Sequence, residues 1–309
     1  MPLTTPDGTP VSPLCFGAMQ FGGAADARAS AEMYAACRAA GVTAFDTAHV
    51  YTGGESERIL GRLIAPERDR VLLATKAAYE GGAAAGSIRA SLDESRARLG
   101  VDQVDLLYLH RWDGGTPLEE TFEALAALKS RGAIRHVGVS NYAAWQVMKA
   151  QAVAARFDLS IDAIQPMYNA VKRQAEVEIL PMARDQRLAV LPYSPLGGGL
   201  LTGKYAAGGT GRLTTDARYA ARYAPDWMHR AAVGLAELAA EAGMHPATLA
   251  VAWVMARSGV TAPIVSARSA AQLAPSLDAS RTRVEPALID RVSALVPAPA
   301  PATDRLEEA

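Results

Sequence analysis

The chain predicts an α/β fold, a closed (β/α)8 barrel of the TIM type, from two features of its apolar pattern. Eight short apolar runs alternate with longer segments of helical period in one continuous series, and three early runs give out on polar residues of complementary chemistry. A doubly wound open sheet suits eight repeats in 309 residues less well. The strand runs are LCF (14–16), TAF (43–45), VLLAT (71–75), VDLLYL (104–109), HVGV (136–139), DAIQ (162–165), LAVLPY (188–193) and APIV (262–265). Helical period covers 28–40, 55–64, 87–99, 117–131, 143–156, 175–187, 227–257 and 269–278, with a break expected at Gly243 and Pro246. Ser87 and Thr116-Pro117 read as helix starts, and Glu119 and Glu120 suit a first turn, where acidic side chains face the positive helix end. Outside the series lie a short N-terminal hairpin turning at Asp7-Gly8, an extra C-terminal helix near 286–295, and a Pro/Ala-rich tail, 297–309, expected to be mobile. The Gly-rich stretch 203–216 reads as a flexible loop after the seventh strand. One barrel domain is expected over 1–309, with its core at about 13–278.

Composition narrows the partners. Half of the residues are hydrophobic, one fifth are charged and the net charge is −1, which allows a large core and gives no global attraction to nucleic acid or acidic membranes. A small-molecule partner is the expectation, and oligomeric state stays open. Cys15 and Cys37 form no CxxC pair and lack clustered histidines, so no metal centre or disulfide framework is expected. The expected compartment is a reducing cytoplasm. The N-terminus has no basic-then-apolar leader pattern, and no run approaches the roughly 20 apolar residues that span a bilayer.

Asp46, Tyr51, Lys76 and His110 sit where the second, third and fourth runs end. Strand ends of a barrel converge on one rim, so an acid, a phenol, a cation and an imidazole can meet at one substrate atom. A phenol titrates near pH 10 and is a poor proton donor at neutral pH unless a cation lowers that value; Lys76 is positioned to do so. Asp46 would hold the Lys76 ammonium, and His110 could donate a hydrogen bond to a carbonyl oxygen. The competing reading is an ion pair that merely closes the rim beside a satisfied core histidine. Ser140, Asn141 and Gln165 end the fifth and sixth runs with polar groups that need partners, supplied by a carboxamide ligand or by strand-end turns. No GxGxxG follows the first strand. Gly198 to Lys204 reads GxxxxGK, but Tyr205 stands where a P-loop carries Ser or Thr, so a nucleotide-triphosphatase reading is weak.

The stretches FDTAHVYTGGESERILGRLI, LDESRARLGVDQVDLLYLHRWD, IRHVGVSNY, IQPMYN and LPYSPLGGGLLTGKY resemble the aldo-keto reductase superfamily, in order, from about residue 13 to residue 278. The resemblance implies that Asp46, Tyr51, Lys76 and His110 form a catalytic tetrad and that NADPH lies extended across the strand ends. It implies that Gly17, Ala18 and Met19 approach the nicotinamide ribose. Ser140, Asn141 and Gln165 would hold the carboxamide and Tyr193 would stack on the ring. Ser194, Leu196, Gly199 and Lys204 would line the pyrophosphate; Arg212, in the loop, reads either as a further phosphate contact or as a solvated loop arginine. In the segment opening at Ser266, Arg268 would face the 2′-phosphate and Gln272 the adenine side. Pro275 and Ser276 depart from the pattern, standing where many relatives carry Glu and Asn. Gln20, Trp112 and Tyr223, with Tyr51 and His110, are the candidate substrate wall. The implied activity is reduction of a small aldehyde or ketone by NADPH. Alternatives are an NADP(H)-binding regulatory subunit with little turnover, in whose known relatives an asparagine replaces His110, and a Schiff-base lyase using Lys76.

Overall fold

Residues 3–206, 208–305 and 307 are described by a computed structural model. Eight short strands, β1 (Cys15–Gly17), β2 (Ala44–Asp46), β3 (Leu72–Ala77), β4 (Val104–Leu109), β5 (Ile134–Ser140), β6 (Ala163–Gln165), β7 (Ala189–Val190) and β8 (Ile264–Val265), form one sheet in the order β7-β6-β5-β4-β3-β2-β1-β8. Every pairing between them is parallel. The sheet closes where β7 meets β8: Thr261 N donates to Val190 O at 2.8 Å and Ile264 N to Pro192 O at 2.8 Å. The result is a (β/α)8 barrel.

Alternation along each strand divides the side chains. Ala44, Leu72, Ala74, Leu106, Tyr108, Ala163, Ala189, Ala262 and Ile264 fill the interior, with Leu3 and Val11 from the N-terminal segment packed against them. Phe16, Phe45, Leu73, Leu107, Val137, Val139, Ile164 and Val190 face the surrounding helices. Many interior positions are alanine because Tyr108 takes much of the space. A Cβ on Gly138, its partner across the β4–β5 ladder, would stand 2.5 Å from the Tyr108 ring.

The helices are α1 (Ala27–Ala39), α2 (Glu55–Ile64), α3 (Ala85–Leu99), α4 (Leu118–Ser130), α5 (Ala144–Ala154), α6 (Ile179–Asp185), α7 (Arg212–Thr215), α8 (Ala217–Arg222), α9 (Asp226–Glu241), α10 (Pro246–Met255), α11 (Ala270–Asp278) and α12 (Pro286–Ser293). Side-chain caps start several of them: Asp26 accepts from Ala29 N at 2.8 Å on α1, and Ser269 from Gln272 N at 3.3 Å on α11. The expected break at Gly243 and Pro246 separates α9 from α10, and Pro246 opens α10 at a position where its missing N–H costs nothing. The N-terminal segment turns as expected, with Thr4 bridged antiparallel to Pro10, and Arg135 ties it to the barrel by donating to Thr4 O at 3.2 Å.

Several boundaries differ from the sequence expectation. α3 starts at Ala85, so Ser87 lies inside its first turn and Ala84 occupies the cap. Pro117 itself is the α4 cap, because Thr116 turns its hydroxyl to Asp113 Oδ2 at 2.7 Å. The seventh run forms only two ladder residues, since Pro192 cannot donate. The end of the stretch read as flexible loop, 203–216, is helical from Arg212, held by Leu213 N donating to Tyr205 Oη at 3.1 Å; residue 207 lies outside the described residues. In the tail, 297–305 carries no helix or strand, and residues 306, 308 and 309 lie outside the described residues. Among the described residues no helix is long and apolar enough to cross a membrane.

Candidate active site

Register brings the polar strand ends together. Asp46 pairs with Ala74 in the β2–β3 ladder, so Asp46 and Lys76, two residues beyond Ala74, share the inward face. The Lys76 ammonium donates to Asp46 Oδ1 and, at 2.8 Å, to Thr47 O. From across the barrel, Gln165 Nε2 donates to Asp46 Oδ2 at 2.9 Å. Lys76 is 1 % exposed and Asp46 3 %, so the ion pair is fully desolvated and depends on these partners. Burial works against the ammonium, but the Asp46 carboxylate and the Tyr51 hydroxyl override it and hold Lys76 above its ordinary range. Burial likewise pushes the Asp46 carboxyl up, against Lys76 and Gln165.

Tyr51 opens a 3₁₀ turn after β2, and its hydroxyl lies 3.4 Å from Lys76 Nζ. Burial raises the phenol above its usual value and Lys76 pulls it back only in part. Lys76 thus acts on Tyr51 in the expected direction, lowering it, while burial of the phenol works the other way. The His110 ring meets the Tyr51 ring edge-on at 5.9 Å. Burial, with Lys76 and Arg111 nearby, lowers His110 to about 3, so its imidazole is neutral at physiological pH. Its Nδ1 is buried with no protein partner among the described residues.

A second polar group surrounds this one. Asn141, in the left-handed region at φ 58°, donates from Nδ2 to His110 O at 2.9 Å and to Ser140 Oγ at 3.2 Å, and accepts from Tyr193 Oη at 2.7 Å. Ser140 Oγ donates to Gln165 O at 2.9 Å. Ser140, Asn141, Gln165 and Tyr193 thus form one connected network, and burial pushes the Tyr193 phenol up to about 12. Gly17 ends β1 facing β8; a Cβ there would stand 2.8 Å from Ile264 Cγ2. Ala18 is buried with its N–H on Asp46 O at 2.8 Å, whereas Met19 and Gln20 are half-buried beside it.

Along the β7 and β8 ends, Ser194 adopts φ 60° and fixes Asn169 by accepting from its Nδ2 at 2.9 Å. Leu196 is half-buried against the core, and Gly197–Thr202 form a 3₁₀ turn with positive φ at Gly197, Gly198 and Gly199. Among the described residues no helix follows until Arg212, unlike a P-loop. The Lys204 ammonium lies 4.9 Å from the centre of the Tyr205 ring, and a Cβ on Gly199 would be 3.0 Å from its Cε. Arg212 stacks on Tyr219 at 5.2 Å and donates to its hydroxyl at 3.1 Å. Arg268 is exposed at the mouth, where its N–H donates to Gln272 Oε1 at 2.9 Å. Among the described residues, Lys204, Arg212 and Arg268 form no ion pair. Ser266 Oγ is buried with no protein partner among the described residues.

One expectation at the periphery changes. Tyr223 is fully buried, with its hydroxyl receiving from Asn169 Nδ2 at 3.2 Å, so it supports the Gly197 turn from behind instead of facing a substrate. Ser276, one of the two positions that depart from the family pattern, is buried on α11. Trp112 packs edge-on against Tyr142 at 5.1 Å and stays half-buried at the rim. Two aromatic residues near the mouth lie outside the residues singled out from the sequence. Tyr79 lies 4.7 Å from the His110 ring and is capped by Arg111 at 4.8 Å, and Tyr219 sits against Gly198. Tyr79 could have been found as the aromatic residue three positions after Lys76; Tyr219 falls just beyond the stretch read as flexible.

A parallel eight-stranded barrel with a desolvated lysine–carboxylate pair, a tyrosine and a neutral histidine at its strand ends has the make-up of a barrel enzyme, a fold that carries its active sites on that rim. The chain belongs to the aldo/keto reductase family, whose model matches residues 13–297, and it is accordingly an oxidoreductase. It is 33 % identical over 94 % of both chains to "Uncharacterized oxidoreductase YrpG" of Bacillus subtilis. It is also 33 % identical, again over 94 % of both chains, to "Probable voltage-gated potassium channel subunit beta" of Oryza sativa subsp. japonica. To "Aflatoxin B1 aldehyde reductase member 2" of Homo sapiens it is 42 % identical over 61 % of this chain and 54 % of that one.

Proposed function

We propose that this protein is an NADPH-dependent reductase that converts a small aldehyde or ketone to an alcohol, with Tyr51 giving the proton to the carbonyl oxygen. The observation that carries the reading is the Tyr51 hydroxyl 3.4 Å from a fully buried ammonium, beside a neutral imidazole. NADPH fits the chain's own residues. Lys204, Arg212 and Arg268 are cations without carboxylate partners among the described residues, suited to phosphate, and Ser266 Oγ is a buried hydroxyl in want of a partner. Gly17, Ala18, Met19, Ser140, Asn141, Gln165, Tyr193, Ser194, Leu196, Gly199 and Gln272 would complete the cofactor site, with Asp46 behind it, and Gln20, Trp112, Tyr51 and His110 would border the substrate.

When bound, the reduced nicotinamide supplies hydride to the carbonyl carbon. Tyr51 transfers its hydroxyl proton to the carbonyl oxygen, and the tyrosinate left behind is stabilised by the Lys76 ammonium. Asp46 and Gln165 keep that ammonium charged and stationary. His110, neutral, donates a hydrogen bond to the same oxygen without competing as a base. A cytoplasmic setting suits the two unpaired, buried cysteines. NADPH consumption over a chemically broad panel of aldehydes and ketones, run with Tyr51→Phe alongside, tests the reading: turnover that disappears in the variant supports it.

The likeness to a protein named as a channel β subunit favours a second reading, a regulatory NADP(H)-binding subunit. Tight NADPH binding without turnover on that panel would select it.

A further inference from the structure

Tyr51 stands on a turn in which the two glycines take positive φ freely and Thr52 alone takes it at a cost. The three residues after it, Thr52, Gly53 and Gly54, have φ of 48°, 62° and 91°, and Thr52 pays for a conformation that β-branched residues avoid. Thr52 is held locally, donating from Oγ1 to Phe21 O at 2.8 Å and accepting from Ser56 N at 2.9 Å, and a second grip on the turn comes from outside the barrel.

Glu57 and Arg98 grip it. Glu57, buried in the first turn of α2, accepts from Thr75 Oγ1 at 2.7 Å and from Arg98 Nη1 at 3.3 Å. Arg98, near the end of α3, also donates from Nη1 to His49 O at 3.0 Å and from Nη2 to Glu94 Oε2 at 2.9 Å. Its guanidinium lies flat against Gly54, where a Cβ would come within 2.7 Å of Nε. The contacts fall on informative places: His49 is two residues before Tyr51, Gly54 three after it, and Thr75 directly precedes Lys76. Strand alternation sends the Thr75 hydroxyl outward to Glu57 while Lys76 points inward to Asp46.

We propose that the Glu57–Arg98 pair is a positioning device, which ties the strand bearing Lys76 to both ends of the turn bearing Tyr51 and so sets the separation of ammonium and phenol. The proposal rests on Tyr51 being the proton donor. Neither side chain hydrogen-bonds Asp46, Tyr51, Lys76 or His110, so both act through others. Glu57 is fully buried and Arg98 partly so, and the bonds they make run to backbone and strand atoms on either side of Tyr51 and Lys76.

The test uses the full chain with Glu57→Gln, Arg98→Met and Tyr51→Phe. Glu57→Gln keeps an acceptor for Thr75 and removes the charge facing Arg98; Arg98→Met releases His49 O. Thermal unfolding and NADPH affinity verify that each variant is folded. The expected result is kcat lowered at least about tenfold, with KM and NADPH affinity changed by no more than about twofold. The pH midpoint of alcohol oxidation should also move upward as Lys76 loses its hold on Tyr51. Wild-type kcat and an unmoved pH midpoint in folded Glu57→Gln, with Tyr51→Phe inactive, overturn the positioning role alone. If Tyr51→Phe remains active, the proton-donor reading falls and takes the proposal with it. Should Arg98→Met fail to fold, Glu57→Gln decides.

Discussion

Gln165 donates to one oxygen of Asp46 at 2.9 Å while Lys76 holds the other, so a carboxylate on β2 is gripped from both β3 and β6. A desolvated ion pair with only one such hold could shift as the barrel breathes. With two, the ammonium has one resting place, which supplies one end of its 3.4 Å approach to the Tyr51 hydroxyl.

Lys76→Met removes the cation that opposes the burial of Tyr51 and leaves Asp46 to Gln165 alone. The phenol is already raised by burial, so without Lys76 it should rise further, and the alkaline limb of alcohol oxidation should move upward or vanish. Turnover should fall by at least about 10²-fold. A stranded buried carboxylate costs roughly 3–5 kcal/mol, so denaturant unfolding has to accompany the kinetics. An unchanged pH profile with good activity would make Lys76 a rim residue.

His110 should give the fold an acid sensitivity. Its folded-state value of about 3 lies below its ordinary 6.5, so between those limits the unfolded chain binds the extra proton. The contribution of the neutral ring is present above pH 6.5 and is lost as pH falls through that window, by up to about 1.4 kcal/mol per pH unit. Urea unfolding at pH 7, 6, 5 and 4 (about one unit apart) should show the wild type losing stability faster than His110→Gln. Parallel curves would contradict the assignment.

Gly61 lies where α2 meets the end of α3, and a Cβ there would stand 2.2 Å from Leu99 O. Backbone cannot yield as a side-chain tip can. Gly61→Ala should therefore cost about 1–3 kcal/mol or more, read as a lowered thermal midpoint. An unchanged midpoint would mean that the two helices are free to part.

Arg268→Ala should weaken NADPH by at least about tenfold and leave NADH almost unaffected, because an exposed guanidinium can meet a 2′-phosphate with two charge-assisted hydrogen bonds. Rising salt should narrow the preference of the wild type. Titration of both cofactors decides it; a wild type that favours NADH, or a variant that loses both equally, would move the phosphate contact elsewhere.

The alternation of apolar runs was enough to read the barrel, since period and continuity are local properties of a sequence. The Asp46, Lys76 and His110 placements were legible for the same reason, because strand ends share a rim. Less legible was anything decided by tertiary packing. The rise of the Tyr51 phenol comes from burial, which spacing does not report. Tyr223 looked like a wall residue and proved to be core because α8 folds it under the Gly197 turn. Arg212 begins a helix held by the Tyr205 hydroxyl, a contact that a Gly-rich composition conceals. Glu57 and Arg98, on ordinary amphipathic helices, gave no sign of their shared hold on the Tyr51 turn.

The most direct measurement is kcat of Tyr51→Phe on the best aldehyde found in the panel, with NADPH affinity determined on the same preparation. Loss of the hydroxyl removes the proton and nothing that the cofactor contacts would require. kcat should fall by at least about 10²-fold while NADPH affinity stays nearly unchanged. Near-wild-type turnover in that variant would contradict the account.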